Sequence, residues 1–266
     1  MTDDLTITIL GCGSSGGVPR IGNDWGACDP ANPRNRRRRC SILVERQSGA
    51  GKTTVLIDTG PDLREQMLSA NVQALDAVIY THAHADHLHG IDDLRMFAIR
   101  TRKRVQAYMD ETTLARIHEA FGYCFRTPYG SSYPPIMEAN IIEAGTPLRI
   151  DGEGGAIDFL PIEVVHGDIN ALGFRINDVA YLPDVSDIPA KSAQHFKGLK
   201  TWVLDCLRHA PHPSHFNLDD ALRWIADMAP EQAILTNLHN DLDYLALARE
   251  LPEAITPAFD GMVIKA

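Results

Sequence analysis

No stretch of the 266-residue chain approaches the roughly 20 consecutive apolar residues that a membrane-crossing helix needs. The cysteine pattern of a disulfide scaffold or a thiolate zinc cage is missing too. Cys12, Cys28, Cys40, Cys124 and Cys206 are scattered, odd in number and never in a C-x-x-C pair. Positive charge is also short, with 25 Lys and Arg against 35 Asp and Glu and a net charge of -10. Such a surface repels phosphate backbones at long range, so general affinity for nucleic acid is not expected, though a local basic pocket stays open. No repeat, low-complexity tract or clear linker interrupts the chain. The opening Met1-Thr2-Asp3-Asp4 is acidic and leads straight into a strand-like run, so the expectation is no secretory leader and a cytoplasmic protein. What remains, 44% hydrophobic and 23% charged, reads as one globular domain over 1–266.

Strand-like runs fall at 5–10, 41–45, 54–58, 77–80, 157–165, 173–176, 179–182 and 202–205. Helical periodicity fits 62–70, 86–99, 111–121, 218–228 and 243–250. Asn217 before Leu218-Asp219-Asp220 predicts an N-cap with an acidic first turn. Strands precede helices in each half, which suits two mixed sheets packed face to face with helices outside. The Gly/Pro-rich stretch 128–135 reads as a loop over the site or a crossover between the halves. Gly49-Ala50-Gly51-Lys52-Thr53-Thr54 ends like a phosphate loop, but Arg46 stands where that motif needs glycine and a strand follows, so it reads as a hairpin turn.

Four of the eleven histidines, His82, His84, His87 and His89, fall within eight residues, with Asp86 among them. A helix would spread positions 82, 84 and 87 over about 0°, 200° and 140°. A strand would put 87 on the face opposite 82, 84 and 86. Only a loop converges all four groups, and the buried strand expected just before it would hold that loop rigid. Imidazoles and carboxylates converging in this way suit zinc or a similar divalent ion.

Thr81-His82-Ala83-His84-Ala85-Asp86-His87 resembles the T-H-x-H-x-D-H signature of the metallo-β-lactamase superfamily. Leu56-Ile57-Asp58-Thr59-Gly60 resembles its strand-ending D-x-G motif, and His166, Asp184 and His239 follow in the expected order. The resemblance implies an α/β fold, the four-layer αββα sandwich, with a metal site at one edge between the sheets. It implies two divalent ions, zinc or manganese: His82, His84 and His166 on the first, Asp86, His87 and His239 on the second, and Asp184 bridging. Two such ions can share a hydroxide, because bound water loses its proton toward a pKa of ~7. Asp58 is the residue expected to steady a ligand or the loop. One departure stands out: the pattern begins Thr-His near the C-terminus, whereas this chain reads Thr236-Asn237-Leu238-His239.

The glycine-rich Leu10-Gly11-Cys12-Gly13-Ser14-Ser15-Gly16-Gly17-Val18-Pro19 resembles the opening of PhnP-like phosphodiesterases and, more distantly, of tRNase Z. Small residues let backbone N–H groups approach a phosphate, which makes Ser14 and Gly16 candidate substrate contacts. Similarity to PhnP extends to Asn35–Ser41, Gly90–Arg95 and Phe259–Met262. It makes Arg36, Arg39 and Arg95 candidate phosphate ligands, although arginines more often form solvated faces or helix ion pairs. Only Cys28 remains where PhnP carries several cysteines for a structural zinc, so that zinc is expected to be absent. Of His209, His212 and His215, the last sits just before the expected helix at 218 and matches the PhnP segment whose histidine assists the leaving group. His215 and Asp86 are therefore the candidate catalytic residues. The implied activity is hydrolysis of a small cyclic or nucleotide-like phosphate ester, with no membrane and no nucleic acid as partner and a homodimer left open. The alternatives are a tRNase Z-like RNA 3′-processing endonuclease and a non-hydrolytic metal-binding member of the superfamily.

Overall fold

The computed structural model describes residues 4–266, so the reading of Met1–Asp3 lies outside the described residues. In chain order the strands are β1 (Asp4–Gly11), β2 (Ser41–Gln47), β3 (Lys52–Ile57), β4 (Ala77–Ile79), β5 (Val105–Met109), β6 (Met137–Ile141), β7 (Leu148–Ile150), β8 (Ile157–His166), β9 (Ile169–Ile176), β10 (Val179–Leu182), β11 (Thr201–Asp205), β12 (Gln232–Thr236), β13 (Ile255–Pro257) and β14 (Val263–Lys265). Seven form one sheet in the order β14-β1-β2-β3-β4-β5-β6, and seven form the other, β13-β12-β11-β10-β9-β8-β7.

Alternation along the strands explains the layering. In β3, Val55 and Ile57 join a cluster with Phe159, Phe174, Ile176, Tyr181 and Val203 of the other sheet, so this cluster lies between the sheets. Leu56 points the opposite way, into a cluster with Leu63, Met67, Leu94 and Ile117 from the helices covering that face. A third cluster packs Trp202 and Leu204 of β11 against Leu218, Ala221, Ile225 and Leu247 of helices Leu218–Met228 and Tyr244–Glu250. The result is the four-layer αββα sandwich.

β3 to β6 run parallel, as do β10 to β13. β8 and β10 both lie antiparallel to β9 and so share a direction. The carboxyl ends of β3, β4, β8, β10, β11 and β12 lead directly into Asp58, Thr81–His82, His166, Asp184, Asp205 and Asn237.

Two sequence expectations change. The single helix over 86–99 breaks into helix Ala85–Leu88, a 3-10 turn Ile91–Leu94 and helix Arg95–Thr101. The break comes at Gly90, whose N–H donates to the Thr59 carbonyl at 2.7 Å. A Cβ there would lie 2.2 Å from the Gly60 carbonyl oxygen, so the chain presses its backbone onto the end of β3. The stretch 128–135 is a crossover, but inside the first sheet, between helix Glu111–Phe121 and β6. The 49–54 segment forms the β2–β3 hairpin as expected, residues 48–51 making the turn and Lys52–Thr54 opening β3.

Candidate active site

Below the metal-type loop sits Asp58, fully buried at the end of β3 in a left-handed conformation (φ 67) that aspartate tolerates better than most residues. Its carboxylate accepts from the Thr81 N–H, the Thr81 hydroxyl and Nδ1 of His87, each at 2.8 Å. With the Thr81 hydroxyl donating to Asp58, Nδ1 of His82 donates to Thr81 Oγ1 at 2.9 Å. Nδ1 of His166 donates to the Ser214 carbonyl at 2.6 Å. Three imidazoles therefore have their Nδ1 protons fixed, which leaves Nε2 as a lone pair on each.

All three lone pairs face one carboxylate. Asp184 Oδ2 lies 3.7 Å from Nε2 of His82 and 3.5 Å from Nε2 of His166, while Oδ1 lies 3.3 Å from Nε2 of His87. Nε2 of both His82 and His87 is buried without a hydrogen-bond partner. Lone pairs gathered on a carboxylate repel it unless a cation lies among them, so this donor set fits divalent metal. One ligand atom each from His82, His84, His166 and Asp184 lies within 4.8 Å of all the others. On the other side, Asp86 Oδ2 sits 3.5 Å from Nε2 of His87. Burial, with neighbouring imidazoles, holds His82 well below the usual histidine range. Burial also acts to lower His87, but Asp184, Asp86 and Asp58 outweigh it and raise that ring, so these carboxylates draw a positive charge to Nε2, a proton where no metal is bound.

The loop reaches this geometry by close backbone packing. A Cβ on Gly60 would lie 2.2 Å from the Asp86 carbonyl oxygen. Gly60→Ala should therefore push Asp86 and His87 off Asp184, lower metal content on elemental analysis and lower the melting temperature. A variant with full metal content and unchanged melting would refute this role for the glycine.

His215 stands beside the cluster, its ring 4.7 Å from that of His166. Its Nδ1 donates to Oδ2 of the fully buried Asp205 at 2.9 Å. Burial alone would lower His215, but Asp205 more than offsets it and brings the imidazole to about 9. Burial in turn raises Asp205 to about 6. Two partners were not assigned from sequence. Asp205 ends the apolar strand β11 much as Asp58 follows β3, which was the available signal. Asn237 donates from Nδ2 to Asp205 Oδ1 at 3.1 Å and Asp184 Oδ1 at 3.4 Å, tying the two carboxylates together.

His239 departs from expectation. The backbone turns at Asn237 (φ 61), and Asn237 enters the site where the Thr-His pattern places histidine. The His239 ring is instead held by Arg20 at Nε2 and by Asp241 Oδ2, 3.0 Å from Nδ1. None of its hydrogen bonds or ion pairs reaches Asp86, His87 or Asp184.

The candidate substrate contacts separate clearly. Arg39 Nε pairs with Asp62 at 3.1 Å, and Arg95 pairs with Asp92 within its own helical segment, so both guanidinium groups already have carboxylate partners. Arg36 is exposed and lies over the Trp25 ring at 5.3 Å, with no ion pair among the described residues. Ser14 is buried with its hydroxyl unpartnered, and Gly16 packs against the Arg20 side chain. The exposed His89 ring meets Phe121, His209 faces Glu250 at 3.9 Å, and His212 stacks 5.1 Å from His215.

Arg37 is a strut. It is 2% exposed and donates to the carbonyls of Leu242 (2.7 Å) and His239 (3.1 Å). Arg37→Ala should cost about 3 kcal/mol in denaturant unfolding, since it orphans buried acceptors, whereas Arg36→Ala should leave stability unchanged. Equal stability of the two variants would contradict the distinction. Cys28, the survivor of the PhnP cysteine set, donates to the Asn240 and Leu242 carbonyls at 3.4 Å.

The family described as the β-lactamase superfamily domain matches residues 53–237. The structure superposes on a diphosphatase from the PhnP family with a TM-score of 0.88 and 34% identity, covering 99% of this chain and 97% of that one. An octanoyltransferase of Porphyromonas gingivalis is 31% identical over 96% of this chain and 50% of its own length. A ribonuclease Z of Bradyrhizobium diazoefficiens is 30% identical over 57% of this chain and 49% of its own length. The aligned part thus spans about half of each of these two curated relatives. No helix among the described residues is long and apolar enough to cross a membrane.

Proposed function

The chain belongs to the metallo-β-lactamase superfamily of hydrolases, and on that footing we propose that it is a dinuclear phosphodiesterase for small phosphate esters. The observation that carries this reading is Asp184, whose two oxygens face different histidine sets. His82, His84 and His166 would hold one divalent ion and Asp86 and His87 the other, with Asp184 facing both sets. When bound there, zinc or manganese supplies Lewis acidity, which polarises a phosphoryl oxygen and acidifies water.

The protein's own groups do the remaining work. Asp58, Thr81 and the Ser214 carbonyl fix the ligand rings, so the reacting phosphate meets a rigid frame. Asp205 holds Nδ1 of His215, which leaves the Nε2 proton for the departing oxygen. Asn237 keeps Asp205 and Asp184 in register, linking the acid to the metal frame. Arg36, with no carboxylate partner, is the guanidinium available to a substrate phosphate, and Ser14 offers a second donor.

The diphosphatase and ribonuclease Z relatives, by their names, both cleave bonds at phosphorus, which supports that class of reaction. The ribonuclease Z likeness also favours a second reading, cleavage of an RNA precursor. The net charge of -10 weighs against it, because polyanion binding relies on long-range attraction. The reading takes the protein to act in the cytoplasm on a small-molecule substrate. A panel of phosphomonoesters, linear diesters, cyclic phosphates, diphosphates and a tRNA precursor, given to metal-replete enzyme, tests it. Turnover of small diesters or cyclic phosphates is expected. Efficient cleavage of the RNA precursor at physiological salt, without turnover of any small diester, would promote the second reading.

A further inference from the structure

Among the described residues, the exposed tyrosine, phenylalanine and tryptophan side chains are Tyr123 (41%), Tyr129 (109%) and Tyr133 (73%), all on one loop. Every other Tyr, Phe and Trp ring is buried or half-buried. Large rings left in water and confined to one place mark a binding surface better than scattered ones do. This loop is held by its own bonds. Thr127 Oγ1 donates to the Tyr133 carbonyl at 3.1 Å, the Tyr133 N–H to Ser131 Oγ at 3.2 Å and the Ser131 N–H to the Pro128 carbonyl at 3.0 Å. It borders an open cavity of about 490 Å³ lined by Arg95, Tyr123, Pro128, Ser131, Tyr133 and Pro134.

A series of ring contacts links the cavity to the histidine loop. His89, two residues beyond His87, meets the Phe121 ring edge-to-face at 5.5 Å, and Phe121 lies 6.4 Å from the Tyr123 ring. Asp92, half-exposed, pairs with the Arg95 guanidinium. Rings for stacking, a guanidinium donor and a carboxylate acceptor therefore stand together, linked to the histidine loop through His89 and Phe121.

We propose that this cavity is a subsite for the nucleobase of the substrate, and the proposal rests on the phosphoester reading above. A base would stack on Tyr133 and Tyr123 while its edge meets Asp92 and Arg95. Prolines on both sides of the loop keep the rings in place, so little ordering is needed on binding. A cavity of this size on a protein of net charge -10 suits one base of a small ligand better than a polymer.

Steady-state kinetics on adenosine 2′,3′-cyclic phosphate and on base-free glycerol 1,2-cyclic phosphate test the subsite in the metal-replete full chain. Tyr133→Ala should raise KM for the adenosine substrate about tenfold with kcat unchanged, as expected when one stacking partner is lost. The glycerol substrate should be unaffected, and Tyr133→Phe should restore the parent KM because the ring is kept. An equal effect on both substrates, or on neither, overturns the subsite while leaving the phosphodiesterase reading intact. Calorimetric binding of adenosine 5′-monophosphate against ribose 5-phosphate needs no turnover and so separates the two ideas. If neither cyclic phosphate is hydrolysed, the phosphodiesterase reading fails. Tighter binding of the adenosine ligand, lost in Tyr133→Ala, then still supports the subsite, whereas equal binding of both ligands to both proteins overturns it.

Discussion

Asp184→Asn should lose both metal ions and bring hydrolysis down to the uncatalysed background. The carboxylate is 3% exposed and is the one group that faces His82, His166 and His87 together. Although burial raises it, the neighbouring His87 and His82 hold it well below the usual carboxylate range, so its charge is part of the native arrangement. Asparagine keeps the shape and removes that charge, leaving three imidazole lone pairs with a neutral amide to gather on. Elemental analysis and a phosphodiester assay on the same preparation check this, with circular dichroism to establish that the variant is folded. A folded variant that keeps two metals and parent activity would remove Asp184 from the bridging position.

His215→Ala should behave differently: both metals stay and turnover slows by roughly 10²–10⁴-fold, the range for a lost general acid. The reasoning is positional. The ring lies beside His166 but spends Nδ1 on Asp205. Its remaining nitrogen is then free for a leaving group, which on an alkyl ester is a strongly basic alkoxide in need of a proton. A nitrophenolate departs without one, so the loss should shrink on nitrophenyl diesters. The split between the two substrates is the diagnostic readout, since a merely structural histidine would slow both alike. An alkyl diester turned over at the parent rate would move the role to His212, which stacks on His215.

The metal-type cluster was readable from sequence because its residues are neighbours along the chain; the expected loop carries His82 and His84, but Asp86 and His87 sit on the short helix Ala85–Leu88 that follows it. Asp58, His166 and Asp184 were readable because each follows an apolar strand, and strand ends collect at one edge of a sandwich whose central strands run parallel. His239 was misplaced by a local turn that sequence spacing does not reveal. With Asn237 at φ 61, the amide enters the site and the ring two residues on swings to Arg20 and Asp241. The partner of Arg39, Asp62, emerges only in three dimensions, whereas Arg95 pairs with Asp92 three residues before it, the helix ion pair that the sequence already offered. Strands such as β13 and β14 carry three residues each, too few to show an alternation of their own. The Cys28 thiol donates to the backbone carbonyls of Asn240 and Leu242, a role its spacing in the sequence does not show.

The central claim, two ions joined through Asp184 and needed together for hydrolysis, is tested most directly by titrating chelator-stripped protein with zinc or manganese while following turnover of a small diester. Activity should rise to a break at two equivalents per chain. A break at one equivalent, or full turnover by the stripped protein with no metal added, would contradict it.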